Sequence, residues 1–490
     1  MGESIVIKHG RVLGADGRLQ VADVLIERGT IVRVGDRLDR WGSEQIDATG
    51  MIVLPGLINA HMHSGENFNP GLYENLPLDV WFVRSHQVTR AAPPTREAIY
   101  VRTLLGAALM LRSGTTTAVD FLYEAPAITL DTLEPVVQAY RDAGLRATIL
   151  LGVADMPFAQ SLPLDGEAAI AAAEEATPPS LRSILELADA AVSRWDEPDG
   201  LIRIGLGPSA PQRCSPELLR ATIDLARERG LAWQTHVLET KTQAVTCRDW
   251  HGASFIELMR RQGVLGPAST LVHTVWLSDD DIEVMADSGC TAVHCLLSNL
   301  RLGDGFARVP ALMRAGVPLA LGTDGRGCDE TLDMFELTKM TALVHKARGG
   351  DYHSWPNAAD AFRMATAGGS SVAGHGQQLG RLEPGAKGDL VLLRRDSLAL
   401  APVNDLVRQL VYGAPSRDVD TVIVDGRVVV RSGQLTGVDT EWLLDSVRTH
   451  MHEALAGTAS PQSQRLERVV SDMYARIDRR ELELDAYLGA

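Results

Sequence analysis

The hydrophobic pattern changes character twice along the chain. The first part runs in short strand-like stretches, Ser4–Ile7, Val21–Glu27 and Thr30–Val34, broken by glycine turns. The same texture returns at Asp389–Arg394 and Thr421–Val430, where VDGRVVVRSG reads as a hairpin. Chain ends of a compact unit tend to lie close together, so these two segments are predicted to pair into one small sheet.

Between them an apolar run is followed by a helical stretch, eight times over. The runs are Ile52–Asn59, Thr115–Phe121, Ala147–Val153, Ile202–Gly207, Ala232–His236, Thr270–His273, Thr291–His294 and Pro318–Gly322. Ala- and Leu-rich stretches such as Glu97–Arg112, Pro216–Arg229 and Asp279–Ser288 separate them. Near-continuous apolar strands alternating with helices indicate an α/β fold with a parallel sheet, and eight repeats predict closure into a (β/α)8 TIM-like barrel. The tail, roughly Asp439–Leu488, is charged and helical, with Trp442, Leu443, Val447 and Met451 as its apolar positions. It is predicted to pack on the barrel or on a second subunit.

Length and charge narrow this picture. A chain of 490 residues suits a barrel plus one smaller unit better than a single ordinary domain. With 45% apolar and 22% charged residues it is composed like a soluble globular protein. A net charge of −16 leaves no excess of Lys and Arg to neutralise phosphates, so neither nucleic acid nor an anionic membrane is an expected partner. The acidic charge and amphipathic tail are compatible with a homo-oligomer. The five cysteines are scattered and never spaced C-x-x-C, which argues against a disulfide framework or a cysteine zinc site and for a reducing cytoplasm. The opening MGESIVIKHGRVLGADG has no basic segment followed by an apolar run, so no signal peptide is expected. No uninterrupted apolar stretch reaches the ~18 residues of a membrane span.

Chemistry gathers where the apolar runs end, which is where barrel enzymes carry their active sites. The first run leads into Asn59-Ala60-His61-Met62-His63. Two residues apart on a strand, His61 and His63 point to the same face and can converge on one ion. The fifth run closes as Gln234-Thr235-His236-Val237-Leu238-Glu239, the sixth as Val272-His273 and the eighth as Gly322-Thr323-Asp324. Taken singly, His236 and His273 read as satisfied core histidines and Asp324 as a helix cap. Together, in order and at strand ends, they read as a metal site. Imidazole and carboxylate donors without thiolates suit zinc, iron or manganese.

This arrangement resembles the amidohydrolase superfamily, in its mononuclear branch of cytosine-deaminase-like and chlorohydrolase-like aminohydrolases. PGLINAHMHS, RSGTTTAVDF, GPSAPQRCSPELL, THVLET, LVHTVWLSDDD, VHCLLSNLRLGDG and LGTDG follow the family's order over nearly the whole chain. The resemblance implies a small β-sandwich domain built from both chain ends (1–57 and 382–435), a barrel (58–381) and a C-terminal helical extension (436–490). It also implies one divalent metal, Zn2+ or Fe2+, held by His61, His63, His236 and Asp324. Glu239 matches the proton-shuttling glutamate of an H-x-x-E pattern, and His273 the histidine that orients and helps deprotonate the attacking water, with Asp324 as its partner in that step. No lysine ends the fourth run, IRIGLGPS, so the carbamylated lysine of binuclear relatives has no counterpart. The implied reaction is deamination of a small amino-substituted nitrogen heterocycle of purine, pyrimidine, pterin or triazine type.

The family also suggests substrate contacts. Trp81 matches a tryptophan that lines the pocket in several relatives, and Glu239 would meet the ring. Relatives that act on adenosine-like nucleosides carry an acid nine positions after that tryptophan and a histidine after Gly-Pro; this chain has Arg90 and Ser209 there. Both are candidate substrate-binding residues, and both departures argue against a nucleoside. VHCLLSNLRLG resembles the seventh-strand motif of deaminases of guanine-like and pterin-like rings, with Leu296 in place of proline, which makes His294 and Arg301 further candidates. Asp329 and Glu330, just past Asp324, read either as ring N–H acceptors or as loop solvation. A hydrolase expelling chloride or alkylamine from a triazine, or opening an amide, is the alternative. Relatives that expel chloride often replace the H-x-x-E glutamate, and Glu239 is intact. A catalytically silent scaffold would have lost metal ligands, and none is missing.

Overall fold

The computed structural model describes residues 4–14, 16–85, 94–124, 127–166, 177–452 and 461–482. The two ends of the chain share one nine-stranded sheet. Met51–Pro55 lies at its centre, antiparallel to Leu390–Arg394 with Val53 opposite Leu392, and parallel to Ser4–Leu13 on its other side. Ile5, Ile7, Val24, Ile26, Ile31, Leu390, Leu392 and Ile423 close over one face as a separate apolar core.

The apolar run Ile52–Asn59 serves two sheets. It breaks at Gly56, where a Cβ would come within 2.0 Å of Thr116 Oγ1, and continues as the parallel strand Leu57–Met62. A glycine is required there by the close approach. Leu57–Met62, Thr115–Leu122, Arg146–Val153 and Ile202–Pro208 form one four-stranded parallel sheet. Gln234–Val237, Thr270–His273, Thr291–His294 and Leu319–Leu321 form a second. The strands therefore occur in the order the pattern predicts, as two ladders rather than one continuous ring. The two sheets meet at both edges, through a parallel bridge between Leu206 and Trp233 and through Asp324 N–H donating to the His61 carbonyl at 3.0 Å.

The intervening helices are punctuated by their own sequence. Pro216–Arg229 starts with Ser215, whose side chain accepts from Leu218 N–H, carries Pro216 in its first turn and ends at Gly230 in the left-handed conformation. Thr129 and Ser278 open Leu130–Ala143 and Asp279–Ser288 with capping boxes. The tail folds back on this same chain. Leu443 of Thr440–His450 is buried and Trp442 meets Tyr100 edge-on at 6.4 Å. Pro461–Asp478 buries Leu466, Val470, Met473 and Ile477 against Val80, Val83, Phe158 and Leu162. All five cysteines are free and buried. Among the described residues no helix is long and apolar enough to cross a membrane.

Candidate active site

His61 lies on Leu57–Met62 and His63 just beyond it; His236 lies within the fifth parallel strand, His273 closes the sixth, and Asp324 follows the eighth. All five are buried. One donor atom from each of His61, His63 and His236 lies within 4.8 Å of the others, and the same holds for His61, His273 and Asp324. Asp324 Oδ1 is 3.5 Å from His61 Nε2 and 3.1 Å from His63 Nε2, and Oδ2 is 4.0 Å from His273 Nε2.

The imidazoles are aimed by their other nitrogen. Nδ1 of His61 is 2.6 Å from Gln234 Oε1, that of His63 2.6 Å from the Phe121 carbonyl, that of His236 2.6 Å from the Ser209 carbonyl, and that of His273 2.8 Å from Asn299 Oδ1. These oxygens only accept, so each Nδ1 donates and each Nε2 turns a lone pair to the centre. Gln234 is itself oriented by donating from Nε2 to the Ala60 carbonyl at 3.0 Å. Ser298 Oγ donates to Asp324 Oδ2 at 2.6 Å. Nε2 of His61 is buried without a hydrogen-bond partner. A buried lone pair facing further imidazoles and a carboxylate is costly alone and satisfied by a cation, so the donor set fits one divalent metal ion.

The backbone is strained where two of these residues sit. His273 has φ 70° and Asp324 φ 67°, in the left-handed region. Such positions cost about 1–3 kcal/mol each and persist where surrounding bonds over-determine them. Here Thr274 N–H donates to the Val237 carbonyl at 3.1 Å, and Asp324 N–H to the His61 carbonyl. Gly322 lets the eighth strand approach the first, since a Cβ there would lie 2.8 Å from His61 N.

A cavity opens over this centre, lined by Trp81, Tyr123, Ser209, Glu239, His273 and Asp324 among others. Glu239 Oε1 lies 3.4 Å from His273 Nε2. Burial, then Asp304 and Asp324, push Glu239 well above the usual carboxylate range, which favours its protonated form. Burial lowers His273 to about 4, which keeps the imidazole neutral. Trp81 is fixed in the wall by donating from Nε1 to the Gly327 carbonyl at 3.3 Å, and Tyr123 donates to Ser209 Oγ at 2.8 Å. Asp79, also in the wall, is pushed up to about 6 by burial and accepts from Thr242 Oγ1 at 2.6 Å.

The structure thus gathers His61, His63, His236, His273, Asp324, Glu239, Trp81 and Ser209 around one cavity, while Arg90 lies outside the described residues. His294 and Arg301 do not line it: His294 packs 5.7 Å from the His345 ring, and Arg301 pairs with Glu330 at 2.5 Å. Asp329 is buried away from the cavity wall. Sequence reasoning passed over Gln234, Ser298, Asn299, Tyr123 and Asp79. Gln234 had a legible signal, standing two residues before His236 and so on the same face of its strand. Asn299 and Ser298 lay inside a motif that was read for its charged members instead.

Comparison with known proteins places this geometry. A profile of the amidohydrolase family matches residues 52–429. The chain is 34% identical to a 5′-deoxyadenosine deaminase of Methanothermobacter thermautotrophicus, over 90% of this chain and 97% of that one. It is 35% identical to a 5-methylthioadenosine/S-adenosylhomocysteine deaminase of Thermococcus kodakarensis, over 87% of this chain and 94% of that one. Its fold is similar to a mutant atrazine chlorohydrolase of Arthrobacter aurescens complexed with zinc and atraton, with a TM-score of 0.84, 25% identity, and coverage of 91% of this chain and 100% of that one. The chain belongs to the amidohydrolase family. It has that family's TIM-barrel-like α/β fold and is a metal-binding aminohydrolase acting on C–N bonds.

Proposed function

We propose that the chain deaminates an adenine nucleoside altered at its 5′ position, with one zinc ion held by His61, His63, His236 and Asp324. The observation that carries this reading is the aim of the site. The Nδ1 atoms of His61, His63, His236 and His273 all face acceptors, and the acid Glu239 stands at His273 over an open cavity. When bound, the ion lowers the pKa of water from about 15.7 toward about 7. His273, neutral and fixed by Asn299, orients the attacking water, and Asp324 accepts its proton. Glu239 protonates first the ring nitrogen and then the amine, which leaves as ammonia while the ring carbon keeps the water oxygen. Proton transfer by a positioned side chain contributes roughly 10²–10⁴-fold.

The nucleoside is supported by the two relatives above, each named for deamination of such a compound. Ser209 and Arg90, the two departures that argue against a nucleoside, are single positions set against likeness over most of the chain. Ser209, with Tyr123, gives the cavity a hydroxyl wall where those relatives are expected to carry a histidine. A closed eight-stranded barrel is supported by the contacts at both sheet seams. The division into 1–57 with 382–435, 58–381 and 436–490, a homo-oligomeric state and a cytoplasmic site remain part of this proposal.

The second reading, expulsion of chloride or alkylamine from a triazine, rests on the likeness to the chlorohydrolase. Its lower identity ranks it second, 25% against 34% and 35% for the two deaminases. Ammonia release by zinc-loaded protein from a panel of adenine nucleosides, aminopurines, pterins and aminotriazines separates the two. Release from adenine nucleosides above the other rings supports the proposal; chloride or alkylamine release with silence on nucleosides replaces it.

A further inference from the structure

The short helix Leu296–Arg301 faces two ways. Ser298 and Asn299 turn inward, where they bond Asp324 Oδ2 and His273 Nδ1. Arg301, at the end of the helix, is partly exposed and lies outside the cavity wall. Its Nη2 donates to Glu330 Oε1 at 2.5 Å and to the Tyr73 carbonyl at 2.9 Å. Glu330 in turn accepts from Gly71 N–H, at 2.9 Å through Oε2 and 3.1 Å through Oε1. One carboxylate therefore joins the loop after the first parallel strand, the loop after the eighth and the end of this helix.

The loop that begins at Asp324 is tied to the first-strand loop along its length. Arg326 Nη1 donates to the Asn67 carbonyl at 3.0 Å, and Gly327 N–H to Glu66 Oε2 at 3.2 Å. The Gly327 carbonyl takes the Trp81 indole N–H, and Glu330 takes Gly71. Glu330 has φ 79°, a left-handed conformation uncommon for a residue other than glycine. Such a backbone persists where neighbours over-determine it, and here the Glu330 carbonyl also accepts from Arg326 Nε at 3.0 Å. On the far side, Tyr73 meets Trp81 edge-on at 6.2 Å, and its hydroxyl donates to the Arg84 carbonyl at 3.3 Å. Tyr73 thereby bridges the clamped loop and Leu78–Ser85, the helix that carries Trp81. An exposed ion pair alone is worth little. This one holds chain as well as side chains, because the carboxylate takes a backbone N–H and the guanidinium a backbone carbonyl.

We propose that Arg301 and Glu330 are positioning residues: they clamp residues 66–77, and through Tyr73 they hold Trp81 against the substrate ring. Neither lines the cavity, so their effect on the substrate passes through the wall. The inference rests on the proposed reaction in one respect, that the deaminated ring lies against Trp81. Loosening the clamp leaves the reaction centre in place, because Ser298 and Asn299 hold Asp324 and His273 independently of Arg301. Binding of the ring is therefore what the clamp controls, and KM is where it is read.

The test has two arms, both on zinc-loaded protein. In the first, hydrogen–deuterium exchange is followed by mass spectrometry in wild type, Glu330→Ala, Arg301→Met and Arg301→Lys. Glu330→Ala and Arg301→Met are expected to speed exchange over residues 66–77 by roughly 3- to 10-fold, with Arg301→Lys between them and wild type. In the second, a double-mutant cycle reads KM for 5′-methylthioadenosine with Glu330→Ala and Trp81→Ala, singly and together. Glu330→Ala is expected to raise KM by roughly 3- to 10-fold with Trp81 present and by less than about twofold without it, with kcat held within about twofold. A merely structural role would act alike in both backgrounds, and KM does not depend on the fraction of protein folded. Unchanged exchange over residues 66–77 in Glu330→Ala and Arg301→Met overturns the clamp. Equal KM effects with and without Trp81, or a loss confined to kcat, overturn its action through Trp81. If no adenine nucleoside is deaminated, the nucleoside reading fails separately and exchange decides the clamp. Faster exchange that extends over residues 78–85 then supports its reach to Trp81, and unchanged exchange there overturns it.

Discussion

Asn299 holds His273 from behind, its Oδ1 2.8 Å from His273 Nδ1, while the other ring nitrogen faces Glu239 at 3.4 Å. The amide decides which nitrogen of His273 carries the proton, and so leaves Nε2 able to accept one. Asn299→Ala is expected to lower kcat by about 10–100-fold, the usual effect of removing a group that orients a site histidine, with zinc content unchanged. A kcat within twofold of wild type, measured alongside metal content, would remove Asn299 from the mechanism.

Glu239 is the acid of the proposed reaction, and Glu239→Gln keeps its shape while removing its proton. The loss in kcat is expected at roughly 10²–10⁴-fold. Substrate should still bind, because Gln243 Oε1 continues to accept from the residue 239 N–H. Single-turnover kinetics with bound nucleoside reads this directly. Turnover above a tenth of wild type would mean that the proton reaches the ring from elsewhere.

Asp79 makes stability depend on pH in a defined direction. Burial raises its pKa from 3.8 to about 6, so between those values the folded protein binds the proton more tightly than the unfolded chain. Its contribution is therefore stabilising below that window and is lost as pH rises through it, leaving a buried charge at neutral pH. The shift corresponds to about 3 kcal/mol at most. Asp79→Asn, which still accepts from Thr242, is expected to raise Tm at pH 7.5 and to leave it nearly unchanged at pH 3.5. Equal shifts at both pH values would contradict the assignment.

The C-terminal helix braces the wall that carries Trp81. Met473 of Pro461–Asp478 is buried in the cluster with Val80 and Val83, and Arg84 pairs with Glu467 at 2.5 Å. Met473→Ala is expected to cost about 2–5 kcal/mol, as buried methionine truncations do. It should raise KM more than it lowers kcat, since the bracing reaches the wall and not Glu239 or His273. Steady-state kinetics at a temperature where the variant is folded checks the split; a fall in kcat with KM unchanged would contradict it.

The strand order, the two β-rich ends and the His/Asp cluster were legible because each obeys a short-range rule. His61 and His63 share a face by strand periodicity, and His236, His273 and Asp324 stand where apolar runs stop. What escaped depends on packing between distant elements. Gln234 and Asn299 matter only because their oxygens meet ring nitrogens of His61 and His273, and nothing local in QTHV or LLSNL announces that. Arg213 reads as a turn residue until Phe82, 131 positions earlier, arrives beneath it. The tail from about Asp439 to Leu488 was read as amphipathic, but the partner of Pro461–Asp478, the Trp81 helix, lies nearly four hundred residues away. The run Ile52–Asn59 was read as one strand because hydrophobicity does not reveal that Gly56 hands the chain from one sheet to another.

The most direct test of the account is a zinc titration of metal-free protein, following ammonia release from 5′-methylthioadenosine together with bound metal per chain. The account predicts no activity without metal, a linear rise with added zinc, and a break at one zinc per chain that is lost in His61→Ala. Activity in the metal-free protein, or a break at two, would contradict a single ion held by His61, His63, His236 and Asp324.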